Sequence, residues 1–254
     1  GQLMGADPDQ FGPAARILVD AGYDIIDINF GCPVKKVLRR CRGGFLLSEP
    51  GTATGIIKSV LDAVGKDAPV TVKMRRGINH SQKSRRDFFT IIDRAFELGV
   101  AAVTVHGRSV EQRYVGPSDW RFLRQVKEHV GDRVILGSGD LFTAGDCVRM
   151  LEETGVDGVT LARGSIGNPW VFDQCRAVFT GQPLPNPPSQ AEQRRTMAMH
   201  LELVLDHYGP KLAGKIMFKF AMQYCKLHPE PRRTREACLG ARSIDGFREL
   251  LDRW

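Results

Sequence analysis

The sequence predicts an α/β fold with a parallel β-sheet, followed by an all-helical segment. Short runs of apolar and β-branched residues alternate with helical patterns through roughly the first 180 of the 254 residues. Three of these runs share one frame, in which a helical stretch stops at a glycine and a strand end follows seven residues later. Alternating βα units, with strands apolar enough to be buried on both faces, are typical of a parallel sheet.

Six strands are predicted in this part of the chain. They cover residues 2–3, 25–29, 70–73, 101–106, 134–138 and 157–162, and the first is counted as the tail of a strand. The glycines of the repeated frame are Gly22, Gly99 and Gly155, and glycine tolerates the positive φ that ends a helix. Asp7 followed by Pro8 predicts a helix start, with Asp7 as N-cap and proline at the first helical position.

Composition excludes several classes of protein. No uninterrupted apolar stretch approaches the ~20 residues of a membrane span, so no membrane partner is expected. The six cysteines are scattered without a C-x-x-C pair, which indicates neither a metal site nor a disulfide framework and fits a reducing cytoplasm. The net charge of +7 and the pI of about 9.2 are compatible with a nucleic-acid partner.

Polar side chains stand at the carboxyl ends of the predicted strands. Parallel strands bring these ends to one face, which in a (β/α)8 barrel holds the active site. The residues there are Asn29 and Cys32, Lys73 and Arg75, His106 and Arg108, Ser138-Gly139-Asp140, and Arg163-Gly164. A thiol beside such cations suits chemistry better than packing, although a buried structural cysteine is the alternative.

The loops after two of these strands are strongly basic. Residues 73–86 contain six Lys or Arg and no Asp or Glu. The second strand is followed, before any acidic residue, by Lys35, Lys36, Arg39, Arg40 and Arg42. One charge run is usually a solvated face, but two on the edge that carries a thiol and a histidine favour a phosphodiester chain as ligand.

Several motifs resemble the signature of the tRNA-dihydrouridine synthases. The first is Asp27-Ile28-Asn29-Phe30-Gly31-Cys32-Pro33, continuing through Lys35-Lys36-Val37 to Gly43-Gly44 and Leu46-Leu47. The others follow in the family's order as Val72-Lys73-Met74-Arg75, Val105-His106-Gly107-Arg108, Tyr114, Gly116, Trp120, Gly139-Asp140 and Arg163 with Gly167-Asn168-Pro169-Trp170. The cysteine-containing motif is highly specific, and Cys41, a second thiol in the same loop, lies outside it.

The resemblance implies an FMN-dependent (β/α)8 barrel that reduces the 5,6 double bond of uridines in tRNA, with NADPH supplying electrons. It implies that Cys32 is the catalytic proton donor to the uracil ring. The FMN-binding residues would be Gln2, Lys73, His106, Ser138, Gly139, Asp140, Ala162 and Arg163. We expect substrate contacts from Asn29, Lys35, Arg75 and Arg108.

Each of these roles has a structural alternative. Lys73 would neutralise the pyrimidine edge of reduced flavin, or it would be an ordinary solvated or ion-paired lysine. His106 would bind flavin or phosphate, or be a satisfied core histidine; Asn29 would hold flavin or uracil through its amide, or simply end a strand. Two positions depart from the family pattern, since Ser138 stands in place of an Asn and Ala162 in place of a Gly, and we expect both to weaken flavin binding.

The family barrel has eight strands, whereas this sequence supplies six. We therefore expect two further βα units before Gly1, which amounts to about sixty residues. The catalytic barrel would then cover residues 1–182 without its first strands, and residues 183–189 would form a proline-rich linker.

A helical domain is predicted for residues 190–254. Ser189 and Glu192 form the pattern of a capping box at its start, and the segment has twelve Lys or Arg against eight Asp or Glu. The expected core residues are Met197, Met217, Phe218, Phe220 and Met222. In the family this domain grips tRNA, and the residues that would either contact its backbone or form a solvated face are Lys215, Lys219, Arg232, Arg233 and Arg235.

The function favoured by the sequence is the reduction of specific uridines in tRNA. One alternative is an FMN-dependent barrel oxidoreductase acting on a free pyrimidine, of the dihydroorotate dehydrogenase kind. Basic loops and a helical segment argue against it, because a small substrate needs neither. The other alternative is an inactive tRNA-binding relic, which a colourless protein that still binds tRNA would favour.

Overall fold

The computed structural model describes residues 1–254 and contains one sheet of six parallel strands in sequential order. The strands are β1 (Gln2–Leu3), β2 (Ile26–Phe30), β3 (Val70–Arg75), β4 (Ala102–His106), β5 (Ile135–Ser138) and β6 (Gly158–Thr160). Sequential parallel pairing with a helix in every crossover is the arrangement of a TIM barrel, so the predicted α/β class and the six strands are confirmed.

Eleven α-helices and three short 3₁₀ helices accompany the sheet. The first seven helices are α1 (Pro8–Asp20), α2 (Lys35–Leu38), α3 (Pro50–Val64), α4 (Gln82–Leu98), α5 (Trp120–Val130), α6 (Ala144–Thr154) and α7 (Val171–Phe179). The others are α8 (Gln190–Tyr208), α9 (Pro210–Tyr224), α10 (Pro231–Gly240) and α11 (Ile244–Asp252). The 3₁₀ helices cover Gly43–Ser48, Arg163–Ser165 and Cys225–Leu227. None of the helices combines the length and the apolar character that a membrane crossing requires.

Helix ends follow the predicted local chemistry. The Asp7 carboxylate accepts a hydrogen bond from the Asp9 N–H, and Pro8 is the first helical residue. Gly99 ends α4 in the left-handed conformation at φ 103°, where a side chain would be strained. The capping box of Ser189 and Glu192 is present at the start of α8.

The two faces of the sheet differ in a way the sequence reading missed. Ile26, Ile28 and Phe30 are fully buried on one face of β2, whereas Asp27 and Asn29 between them are only partly buried. The expectation that the strands are apolar and buried on both faces is therefore wrong for β2, whereas Val103, Thr104 and Val105 of β4 are buried on both faces. The register places polar residues in rows on one face. Gln2 is exposed, and the others are partly buried or buried, namely Asp27, Asn29, Thr71, Lys73, Arg75, Thr104, His106, Ser138 and Thr160.

The chain divides into two compact units, residues 1–140 with 149–160 and residues 141–148 with 161–254. The whole sheet lies in the first unit. The core of the second is formed by Met197, Met217 and their neighbours on α8–α11, with Phe218, Phe220 and Met222 packed against it as expected. The assignment of residues 1–182, 183–189 and 190–254 to a catalytic domain, a linker and a tRNA-binding domain stays a prediction.

Candidate functional site

The carboxyl ends of β2–β5 bring together most of the residues singled out from the sequence. In the register, Asn29 lies opposite Lys73, Arg75 opposite His106, and His106 opposite Ser138. We call this group, with Cys32, Arg108 and the turn formed by Ser138, Gly139 and Asp140, the strand-end site. Neighbouring positions in a parallel ladder share a face, so the local geometry follows directly from strand register.

The loop that carries Cys32 is held by side-chain and backbone hydrogen bonds. The Asn29 Oδ1 atom accepts from the N–H groups of both Gly31 and Cys32, each at 3.0 Å. The Gly44 N–H donates to the Cys32 carbonyl at 3.0 Å. Gly43, at φ 57°, lies so close that an added Cβ would be 2.9 Å from the Cys32 Cβ. Cys32 is partly exposed, and its thiol makes no hydrogen bond. The backbone of the residue is therefore held, while the thiol stays accessible to a ligand.

Lys73 is a half-buried cation without a hydrogen-bonding or ion-pair partner. Burial lowers the pKa of its ammonium group, and the positive charge of Arg75 lowers this pKa further. The negative charge of Asp27 acts in the opposite direction. Such a group gains from an acceptor brought by a ligand, because a hydrogen bond to the charged form would offset its desolvation.

His106 is held neutral. Burial, followed by the charges of Arg75, Lys73 and Arg108, lowers its pKa from 6.5 to about 3, and Asp140 offsets this only in part. The backbone N–H of Arg108 donates to His106 Nδ1 at 3.1 Å. Because a neutral imidazole accepts at one nitrogen and donates at the other, the proton lies on Nε2. The Nε2–H of His106 is therefore a hydrogen-bond donor without an acceptor in the protein.

Arg75 acts as a clamp between loops. The residue is only 4% exposed. Its Nε donates to the Gly31 carbonyl, and its Nη1 donates to the carbonyls of Ser109 and Arg113. The guanidinium also lies 5.6 Å from the centre of the exposed Tyr114 ring. Sequence reasoning predicted a substrate contact here; the contacts observed hold the Cys32 loop to the loop after β4, and contact with substrate stays a prediction.

Arg108 is buried by the turn that follows β5. Its Nη2 atom lies 2.7 Å from both carboxylate oxygens of Asp140, and Nε and Nη2 donate to the Gly116 carbonyl. The Ser118 N–H donates to the same carboxylate at 2.7 Å. Arg108 Nη1 is buried without a partner. The expected substrate contact of Arg108 is likewise untested, and the contacts observed fix the turn.

The turn itself depends on Gly139. Its φ is 112°, and an added Cβ would meet Ser118 Oγ and lie 3.1 Å from His106 Cε1. Its carbonyl accepts from Trp120 Nε1 at 3.1 Å, and Asp140 follows at a positive φ of 58°. The Ser138 hydroxyl donates to the Thr160 carbonyl at 3.4 Å.

The remaining predicted residues have different surroundings. Lys35 is exposed at the start of α2. The carboxamide of Gln2 donates to Asp27 and accepts from Asn29. Ala162 and Arg163 follow β6 along the chain and belong to the second compact unit; both are exposed, and the Arg163 guanidinium lies 5.3 Å from the Phe142 ring centre.

Sequence reasoning missed Asp27 and Thr71. The Thr71 hydroxyl donates to Asp27 Oδ1 at 2.7 Å, although the two residues are 44 positions apart in the chain. The signal was the two-residue period of polar side chains, Asp27 with Asn29 and Thr71 with Lys73, within runs that otherwise read as apolar.

These features define a class of protein, a parallel βα protein of TIM-barrel type with a thiol and buried cations at the carboxyl ends of its strands. The chain matches the family described as Dihydrouridine synthase (Dus) over residues 2–247 and belongs to that family.

Two relatives illustrate the match. The chain is 37% identical over 254 residues to a probable tRNA-dihydrouridine synthase of Mycobacterium tuberculosis, covering 99% of this chain and 64% of the relative. It is 36% identical over 230 residues to tRNA-dihydrouridine synthase B of Xanthomonas campestris pv. campestris, covering 90% of this chain and 67% of the relative. The chain thus spans about two thirds or less of the relatives' length.

A solved structure supports the fold. Histamine dehydrogenase from Rhizobium sp. 4-9 superposes with a TM-score of 0.52 at 16% identity, over 69% of this chain and 27% of that one. No cluster of three or more His, Cys, Asp or Glu side chains with the arrangement of a metal site is present in residues 1–254.

Proposed function

We propose that this protein reduces the 5,6 double bond of specific uridines in tRNA to dihydrouridine, with FMN as its bound cofactor and NADPH as reductant. The observation that carries the proposal is the placement of a partly exposed thiol, Cys32, on the polar sheet edge that also holds the unpartnered ammonium of Lys73. Both lie in a chain that belongs to the dihydrouridine synthase family, whose relatives bear that activity in their names.

The donor set of the strand-end site fits FMN. The Lys73 ammonium and the Nε2–H of His106 are left without a protein partner, and both are donors. A flavin offers carbonyl acceptors on its pyrimidine ring and anionic oxygens on its phosphate, which complement such donors. When bound and reduced, FMN supplies the hydride for one carbon of the uracil double bond.

The residues around the cofactor would each have a distinct task. Lys73 would stabilise negative charge on the pyrimidine edge of the flavin. Burial lowers the pKa of its ammonium group, because a buried cation is poorly hydrated. His106 would donate one neutral hydrogen bond. The turn Ser138-Gly139-Asp140 would supply backbone groups, and Ala162 and Arg163 would supply the phosphate contacts after β6; the carboxamide of Gln2 would line the same site.

Cys32 would act on the substrate. Its Sγ–H would deliver the proton to the second carbon of the double bond, so hydride and proton together saturate the ring. The hydrogen bonds from Asn29 and Gly44 fix the loop, which places the thiol at a constant position before the substrate arrives. Asn29 would retain one amide hydrogen for the uracil edge, and Lys35, Arg75 and Arg108 would support the substrate side of the site.

A tRNA substrate accounts for the distribution of charge. The loop after β2 carries Lys35, Lys36, Arg39 and Arg40, all exposed. The cations of α9 and α10 are exposed as well, and exposed cations bind phosphates chiefly through counterion release. A protein that acts on tRNA would work in the cytoplasm, and residues 190–254 would provide the tRNA-binding domain.

Two measurements on the full-length protein test the proposal. We expect the purified protein to show the visible absorption of oxidised flavin, which NADPH bleaches. We expect it to restore dihydrouridine to tRNA isolated from a strain lacking this modification, as read by nucleoside mass spectrometry. Reduction of free uridine or orotate at a rate equal to that of tRNA would instead indicate a small-molecule enzyme. A colourless protein that binds tRNA without modifying it would indicate an inactive relic.

A further inference from the structure

An unbroken hydrogen-bond chain crosses three strands and ends at the Cys32 loop. Thr71 on β3, Asp27 on β2 and Gln2 on β1 lie in one row of the register. The Thr71 hydroxyl donates to Asp27 Oδ1 at 2.7 Å, and Gln2 Nε2 donates to Asp27 Oδ2 at 2.6 Å. Asn29 Nδ2 then donates to Gln2 Oε1 at 2.9 Å, which completes the connection to the loop.

The Asp27 carboxylate determines the direction of every bond in this chain. A carboxylate only accepts, so Gln2 must turn its NH₂ group towards Asp27 and its oxygen towards Asn29. Asn29 must then turn its own NH₂ group towards Gln2 and its oxygen towards the loop. That oxygen is the atom that accepts from the N–H groups of Gly31 and Cys32. With either amide reversed, two donors would face each other.

We propose that Asp27 and Thr71 are positioning residues for Cys32, which set the orientation of the Gln2 and Asn29 amides and thereby hold the loop of the thiol. The proposal rests on the proposed role of Cys32 as proton donor. Strand pairing does not need these side chains, because backbone hydrogen bonds already join β1, β2 and β3. The partly buried carboxylate is costly to desolvate, and two directional donors together with the Lys73 charge offset that cost.

Exchanging the carboxylate and the amide between positions 27 and 2 gives a specific test. In Asp27→Asn the new amide can offer an NH₂ group to Gln2, so Gln2 loses its fixed orientation and the bonds from Asn29 to the loop weaken. In Gln2→Glu two carboxylates face each other, and the chain is disrupted as well. In the double variant Asp27→Asn/Gln2→Glu the carboxylate has moved one position along, and every donor again meets an acceptor. Asn29 then keeps its original orientation.

The primary measurement is amide hydrogen exchange of Gly31 and Cys32 by NMR in the full-length protein. We expect exchange about tenfold faster in Asp27→Asn and in Gln2→Glu, which corresponds to the loss of one typical hydrogen bond. The double variant should return to within about twofold of the parent. Thr71→Val should have a smaller effect of the same sign and Thr71→Ser almost none, because serine keeps the hydroxyl. Asp62→Asn, on the exposed face of α3, is the matched control.

A second readout is alkylation of Cys32 by iodoacetamide, followed by peptide mass spectrometry. A lysine-specific protease places Cys32 and Cys41 in separate peptides, because it cleaves after Lys35 and Lys36 and next after Lys58. The single variants should change the Cys32 rate and leave Cys41 as an internal standard. In turnover, the single variants should lower kcat for tRNA reduction about tenfold with little change in KM, and the double variant should recover most of kcat.

The outcomes separate this proposal from the proposed function. Unchanged amide exchange at Gly31 and Cys32 in Asp27→Asn would overturn the proposed positioning role of Asp27, whatever the enzymatic activity. A double variant as perturbed as the singles would also overturn it, because a carboxylate needed only for stability would not be replaced from the neighbouring strand. Full turnover in Cys32→Ala would overturn the role of the thiol and leave the exchange data unaffected.

Discussion

The strand-end site and the helical region, residues 190–254, handle charge in opposite ways. In the strand-end site Arg75 and Arg108 are 4% and 3% exposed. Both guanidinium groups donate to defined carbonyl or carboxylate oxygens, although Arg108 Nη1 has no partner. In the helical region the cations of α9 and α10 are exposed, while the core is apolar around Met197, Met217 and Phe247.

The effect of a buried charge depends on the geometry of its partners, whereas the effect of exposed charges depends on their number. A buried charge contributes through one arrangement of partners, so a single substitution there has a large and specific effect. An exposed charge is screened within about 10 Å at 0.1 M salt, so its contribution depends on how many such charges there are.

Cys32→Ala should produce the largest effect. If its thiol donates the proton, the rate of uridine reduction in tRNA should fall ~10²–10⁴-fold, the usual cost of losing a general acid. Flavin absorbance and tRNA affinity should remain, since the side chain is small and makes no hydrogen bond.

Cys41→Ala is the matched control. Cys41 is exposed and lies nine residues further along the same loop, at a positive φ of 54°. Its replacement should leave the single-turnover rate within about twofold. An equal loss of single-turnover rate in both variants would show that the effect comes from disturbing the loop and not from the Cys32 thiol.

Asp140→Ala should destabilise the fold more than removal of an exposed partner. It leaves the Arg108 guanidinium, 4% exposed as a side chain, without its carboxylate, and an uncompensated buried charge typically costs about 3 kcal/mol or more. Asp252→Ala breaks the exposed Arg194 pair of the helical region and should cost under about 1 kcal/mol. Urea unfolding of the two variants measures both values, and similar losses would contradict the contrast.

The sequence predicted the elements of both regions well because their signals are local. Gly99 ends a helix, and Ser189 with Glu192 caps another; each depends on residues within one turn. The core positions Met197 and Met217 follow helical periodicity and are confirmed. All six strands were found to within a few residues of their observed bounds.

The contacts within the strand-end site could not be read in the same way. The bond of Thr71 to Asp27 joins residues 44 positions apart, and only the register of two strands brings them together. Arg75 belongs to a charge run that resembles a solvated face, yet its donors meet the carbonyls of Ser109 and Arg113 in a different loop. The strand ends predicted which residues gather, whereas long-range register decides which atoms they contact.

His106 should make stability depend on pH. Its folded-state pKa of about 3 lies below the ordinary value of 6.5, so between these values the unfolded chain binds the extra proton. Stability from neutral His106 is therefore fully present above about pH 6.5 and is lost as the pH falls towards 3. His106→Asn should flatten the decline in unfolding free energy between pH 7 and 5.

His200 provides the comparison from the helical region. Burial alone lowers its pKa, without the neighbouring cations that act on His106. His200→Asn should flatten the same pH profile less than His106→Asn does. An equal change in the two variants would show that the cations of the strand-end site do not add to the effect of burial.

The smallest effects are expected from the exposed cations of the helical region. If Lys215, Lys219 and Arg232 contact tRNA phosphates, each Gln substitution should reduce the slope of log affinity against log salt by ~0.9 or less. The reductions should add, because exposed, independent charges do not share partners. Flavin content and the single-turnover rate at saturating tRNA should stay constant. Lys58→Gln on α3, exposed and paired with Asp62, is the control that leaves the slope unchanged. If the triple variant keeps the slope of the parent, these three cations form a solvated surface. Binding of tRNA would then depend on other cations, such as those of the loop after β2.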